Sequence, residues 1–232
     1  MPEWLPELIA AVVAVVFAIT LHEAAHGYAA RALGDDTAER MGRISLNPLR
    51  HVDPVGTILV PGVMVLGQLL TIGSVQAMFG WAKPVPVDFG RLRHPRRDMM
   101  LVAGAGPAMN VVLALLAGFA VHGVLLAEPV FGEQATEFLV RICALSVLSN
   151  LVLGLFNLIP LPPLDGGRIL VGLLPYRAAV AVAQLERYGI LIVLVGLFIL
   201  PQLIPAWQPM GWFVSNIVWP VLRLVLVMTG NE

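Results

Sequence analysis

Two histidines and a glutamate stand together at His22-Glu23-Ala24-Ala25-His26. Residues i and i+4 share one face of a helix, so both imidazoles could bind a single metal ion, with Glu23 beside the water that such a metal would carry. Zinc suits imidazole nitrogen and brings the pKa of its water to about 7, which makes hydroxide available at neutral pH and lets Glu23 act as general base. With five His and nine Glu among 232 residues, chance would produce this pattern in on the order of one chain in a few hundred. A bland reading, two packing histidines and a structural carboxylate, fits less well. Ionisable groups at depth in an apolar setting are costly unless paired or used. The small neighbours Ala18, Ala24, Ala25, Gly27, Ala29 and Ala30 would let other helices approach this face closely.

A catalytic zinc site usually takes three protein ligands and leaves a fourth position to water. The residues available for the third are Glu39, His51, Asp53, His122 and Asp165. His122 lies far along its apolar run, at the wrong depth, whereas depth alone favours Asp165, His51 or Asp53. Asp165 ends an apolar run and precedes Gly166-Gly167, which also reads as an ordinary Asp-Gly turn. His51 and Asp53 read first as local turn anchors, with an accessory or regulatory contact as the rival. The lone Cys143 excludes an intrachain disulfide, a zinc-thiolate cluster and CxxC redox chemistry.

The elements that must position these groups are apolar helices. The chain is 58% hydrophobic and 12% charged, against about 25% charged in a soluble domain, and its mean hydropathy is +0.85. Apolar runs fall at about 8 to 30, 55 to 80, 99 to 127, 138 to 161, 188 to 206 and 212 to 229, and a segment crossing lipid must be helical to satisfy its backbone. A net charge of -1 with scattered cations makes nucleic acid an unsuitable partner. The expected fold is an all-α polytopic membrane protein of five to six transmembrane or re-entrant helices in the cell membrane. It forms a single integral-membrane unit over residues 1–232, with a core at about 8–172 and additional C-terminal helices at 180–229. Residues 1 to 7 contain no Lys or Arg, unlike a signal peptide, so the first run is expected to persist in the mature protein.

Cations are concentrated in three stretches: four in Arg31 to Arg50, five in Lys83 to Arg97 and three in Arg168 to Arg187. All three should face the cytoplasm. One full crossing at 55 to 80 would separate the first two, and that run contains Pro61, Gly62, Gly67 and Gly73. A re-entrant path resolves the conflict and leaves five spans, with the N-terminus outside and the C-terminus inside. Arg91, Arg93, Arg96 and Arg97 read as anchors at the headgroups. The stretch Pro84-Val85-Pro86-Val87 reads as a small β element near the cytoplasmic face, its prolines removing donors from one edge and leaving the other free to pair with a substrate strand.

The sequence resembles the site-2 protease family of intramembrane zinc metalloproteases. The likeness rests on the HExxH in an early span, Asn157...Pro160...Leu164-Asp165-Gly166 in a late one, and the Gly104-Ala105-Gly106-Pro107-Ala108-Met109-Asn110 segment between them. It implies His22, His26 and Asp165 as ligands of one Zn2+ per chain and Glu23 as catalytic base, with Asn157 and Asn110 holding substrate or the site. The flanking segments 46–54 and 80–86 look like a compact subgroup without PDZ or CBS modules, so any sensor would be a separate chain. The implied function is regulated intramembrane proteolysis of transmembrane protein or peptide substrates. The rival from another class is a metal or proton transporter using the same His, Glu and Asp cluster as a relay. A degenerate, non-catalytic membrane scaffold is a third, disfavoured because no member of the HExxH and Asp set is missing.

Overall fold

A computed structural model describes residues 4–73, 80–204 and 206–232. Eight helices organise them: α1 (Trp4–Ala32), α2 (Val60–Ile72), α3 (Pro95–Leu126), α4 (Glu133–Asn157), α5 (Asp165–Leu173), α6 (Tyr176–Ala183), α7 (Glu186–Leu203) and α8 (Pro209–Thr229). Of these, α1, α3, α4, α7 and α8 are long and apolar enough to cross a bilayer, and the chain is a multi-pass integral membrane protein.

The centre is a three-helix packing of α1, α3 and α4, with α5 laid against α3. Small residues make close approach possible. Ala10, Ala14, Ala18, Ala24, Ala25 and Ala30 of α1 are all buried, and van der Waals contact between backbones is what holds helices together in lipid. A second cluster of Ala114, Val147, Leu151 and Val225 ties α3 and α4 to α8. There the His122 Nε2–H donates to the Thr229 carbonyl at 2.6 Å and Asn231 donates to the Gly118 carbonyl at 2.8 Å. His122 therefore clips α3 to the end of α8. Sixteen residues beyond Gly106, it stands about 24 Å along the helix from the level of the His22 and His26 cluster.

The return from α1 to α3 is held by Asp35, a fully buried carboxylate. It accepts the Thr37 N–H and hydroxyl and the Asp88 N–H. Burial pushes its pKa up, but these bonds and the nearby Arg91 prevail and hold it below the usual carboxylate range. The stability it contributes is present above the unfolded-state pKa and fades as pH falls through the folded one. Arg96 clamps a second junction by donating to the carbonyls of Gly172 and Leu174 at the end of α5. That is a more specific duty than the headgroup anchoring its composition suggested.

The small β element expected at 84–87 is not there: among the described residues no strand forms. The segment's hydrogen bonds run to other partners. Trp81 N–H donates to the Gly56 carbonyl at 3.1 Å, Lys83 N–H to the His51 carbonyl at 2.8 Å and Val85 N–H to Glu23 Oε2 at 2.9 Å. Arg43 donates to the carbonyls of Lys83 and Pro84, and Pro84 and Pro86 have no N–H to offer. The segment is stitched to a turn and a carboxylate instead of to a strand. His51 and Asp53 serve this stitching. His51 Nε2–H donates to the Ser45 carbonyl, and Asp53 Oδ1 caps the next helical turn by accepting from Val55 and Gly56.

The same stitching bears on the apolar run at 55 to 80. The chain leaves through Pro54–Leu59 into α2 and is back beside its starting point at Trp81, where the Thr57 hydroxyl also donates to the Trp81 carbonyl at 2.9 Å. The two feet of the excursion are thus in contact, as a re-entrant path requires; residues 74–79 lie outside the described residues. Cysteines placed at Arg40 and Arg93 in a Cys143→Ala background are expected to react with a membrane-impermeant reagent from the same side. Labelling from opposite sides would make 55 to 80 a crossing.

Candidate metal centre

His22 and His26 lie two-thirds of the way along α1, one turn apart, and α3 presses its backbone against them. A Cβ built on Gly106 would come within 2.5 Å of His26 Nε2 and 2.6 Å of His22 Cε1, so only glycine fits there. On the other side, Asp165 opens α5. Gly166 and Gly167 let this first turn rest directly on the backbone of residues 158–162, beside a cis Pro162–Pro163 peptide. The first turn of α5 thus packs on the segment that follows α4 while α5 lies against α3, which brings Asp165 to the histidines across 139 residues of chain.

The three side chains converge. His22 Nε2 and His26 Nε2 are 3.1 Å apart, and Asp165 Oδ2 lies 3.2 Å from the first and 3.3 Å from the second. All three residues are buried. His22 Nδ1 faces Asn110 Oδ1 at 2.6 Å and His26 Nδ1 faces the Val102 carbonyl at 2.7 Å. An oxygen of either kind only accepts, so in the neutral rings the proton sits on Nδ1 and each Nε2 turns a lone pair inward. Asp165 Oδ2 is buried without a hydrogen-bond donor. Three acceptors facing one another with no proton between them are unfavourable unless a cation sits among them. Two imidazoles and a carboxylate suit zinc, and each imidazole has the second partner that metal-binding histidines require.

Of the candidates for the third ligand, Asp165 alone is in this cluster. The side chains of His51 and Asp53 hold the turn at residues 45–56, His122 clips α8, and Glu39 pairs with Arg31 at 2.9 Å near the surface. Glu23 faces a cavity of about 710 Å³ that it shares with His22, His26, Asp165 and Asn157. Elsewhere the cavity is walled mainly by apolar side chains of α1, α3, α4 and α7, and Arg168 on α5 reaches it. Asn157 stands at the end of α4 with its amide nitrogen on the Leu153 carbonyl. Asn110 has no exposed surface, so it touches the site through His22 rather than through the cavity. Its partner Asn150, which donates to the Ser146 carbonyl and accepts from Asn110, is a residue the sequence reading passed over. The available signal was an amide in the middle of the apolar run at 138–161.

Substitution of Gly106 by Ala is expected to force α3 off the imidazoles and to lower zinc affinity sharply, measured by competition with a chelator. Unchanged affinity in a folded Gly106→Ala protein would mean that this helix contact does not shape the site.

Comparison with known proteins gives the cluster its context. A profile described as Peptidase family M50 matches residues 120–200, a stretch that includes Asp165. The chain is 39% identical over 216 residues to a Bacillus subtilis (strain 168) protein named "Putative zinc metalloprotease YwhC", covering 91% of this chain and 85% of that one. Proteins of the same description named Rip2 are 30% identical over 207 residues in Mycolicibacterium smegmatis, covering 88% and 70%, and 29% identical over 202 residues in Mycobacterium tuberculosis (strain H37Rv), covering 87% and 68%. No solved structure matches the chain. Identity at the first level, sustained along most of both chains, shows that this protein belongs to peptidase family M50, the zinc metalloproteases of the site-2 protease superfamily.

Proposed function

We propose that the chain is an intramembrane zinc metalloendopeptidase that hydrolyses a peptide bond in or beside a transmembrane segment of a membrane protein. The observation that carries the reading is the buried convergence of His22, His26 and Asp165 on a large apolar cavity with Glu23 in its wall. His22, His26 and Asp165 would hold the ion, which when bound polarises a carbonyl and acidifies a water. Glu23 is the general base. It receives the proton of the attacking water and passes it to the departing amine. The Val85 N–H occupies one of its carboxylate oxygens, which fixes the rotamer and leaves the other oxygen for proton transfer.

Charge supports the arrangement. Two neutral imidazoles, Asp165 and Glu23 together carry two negative charges, which balance a divalent cation in a low-dielectric setting. The apolar cavity walls suit a segment drawn from lipid, and Asn157 supplies an amide at its edge for the backbone of an unwound substrate. A helical substrate has its carbonyls engaged one turn back, so it must open locally before its scissile carbonyl is available. A substrate strand pairing to the 84–87 segment forms no part of this account, because the N–H of Val85 is taken by Glu23.

Substitution of Glu23 by Gln is expected to reduce hydrolysis by about a hundredfold or more while zinc content stays at one per chain. Leu near the cut site of the substrate should slow cleavage and Gly should speed it, since Leu favours helix by about 0.8 kcal/mol per position over Gly. Cleavage that survives Glu23→Gln would remove the general-base role. Protein-dependent zinc uptake into vesicles, lost in the same variant, would support the transporter alternative.

A further inference from the structure

Asn150 sits in the second half of α4, 3% exposed, and its hydrogen bonds go to Ser146 and Asn110 and to none of the three candidate metal ligands. An amide in that position is costly unless its polar atoms are partnered, and the partners it has chosen form a directed chain. Its Nδ2 donates to the Ser146 carbonyl at 2.8 Å, Asn110 Nδ2 donates to its Oδ1 at 2.8 Å, and His22 Nδ1 meets Asn110 Oδ1 at 2.6 Å.

The direction of this chain is dictated from its far end. A backbone carbonyl can only accept, so Asn150 must turn its amine to Ser146 and its oxygen to Asn110. Asn110 must answer that oxygen with its own amine, which also faces the Ala18 carbonyl at 3.4 Å. Only the oxygen of Asn110 is then left for His22, and an acceptor there requires the ring proton on Nδ1. The lone pair of Nε2 consequently points at Asp165 and His26.

We infer that Asn150 is a positioning residue: acting through Asn110, it fixes the tautomer of His22 and so keeps Nε2 ready to bind metal. Asn110 alone does not secure this. Rotated by half a turn about its last bond, its amide would offer an amine to His22, select the Nε2–H tautomer and place a proton where the ion belongs. Of the two acceptors opposing that rotation, the Ala18 carbonyl is distant, and Asn150 makes the short bond. Neutral amides also add no charge to a site in which two carboxylates already balance a divalent ion.

The inference rests on His22 being a metal ligand, but its test reads a property of the metal-free protein and so can fail independently of the protease reading. Protein labelled with nitrogen-15 histidine is examined in lipid bilayers, without metal and at mildly alkaline pH, with the His22 signals identified by their loss in His22→Ala. The imidazole shifts distinguish the two tautomers. Wild type is expected to show Nδ1–H at His22. Asn150→Ala, and Asn150→Leu, which keeps the number and branching of the side-chain heavy atoms, should both show the Nε2–H form appearing. Both should bind zinc about ten- to a hundredfold more weakly in chelator competition. A wild-type protein with Nε2–H at His22 would overturn the inference without any substitution. So would folded Asn150 variants with wild-type tautomer and zinc affinity.

Discussion

Three buried lone pairs within 3.3 Å of one another, with no proton between them, are the constraint on which the rest of the structure turns. Such a grouping is unfavourable by itself and stable only around a cation, so each element that builds it must be held against its tendency to open. α1 supplies two of the three groups from consecutive turns of one rigid helix. α5 supplies the third from its first residue. Between them, α3 contributes no ligand but sets both imidazoles, through the Val102 carbonyl behind His26 and Asn110 behind His22.

The closeness of the packing follows from that need. Gly106 lets α3 reach the imidazoles, Gly154 lets α4 pack on Asn110 where an added Cβ would come within 3.0 Å of its side chain, and the Gly166-Gly167 pair lets α5 settle on the preceding loop. Arg96 then fastens the far end of α5 to α3. In lipid, where no hydrophobic force drives helix association, such small-residue contacts and buried hydrogen bonds carry the assembly. Glu23 is joined to the same framework by Val85, and Trp81 and Lys83 join that segment to the turn at residues 51–56. The Glu23 carboxylate is therefore continuous, through the N–H groups of Val85, Lys83 and Trp81, with the turn at residues 51–56 that leads into α2.

Much of this was legible beforehand, for reasons particular to each residue. The spacing of His22 and His26 matches the helical repeat, so their shared face could be read directly. Five apolar runs became the five long helices because backbone hydrogen bonding in lipid permits little else. Depth alone left Asp165, His51 and Asp53 level, and only the resemblance separated them, because a ligand 139 residues away in the chain is placed by tertiary folding. The β element failed since Pro84 and Pro86 mark an extended chain but do not say what its neighbours will meet; Glu23 took the Val85 N–H, and the turn at 51–56 took those of Lys83 and Trp81. Asn110 was expected to hold substrate or the site, and its amide lies behind His22, while Asn150 was missed, because periodicity locates a polar residue on a helix without naming its partner.

The central claim is that His22, His26 and Asp165 bind one zinc ion. Zinc X-ray absorption on the purified protein tests it most directly. The account predicts one zinc per chain with two imidazole nitrogens at about 2.0–2.1 Å and the remaining ligands oxygen at about 2.0–2.2 Å, and loss of that spectrum in Asp165→Ala. A sulfur shell near 2.3 Å, or an identical spectrum in Asp165→Ala, would contradict it.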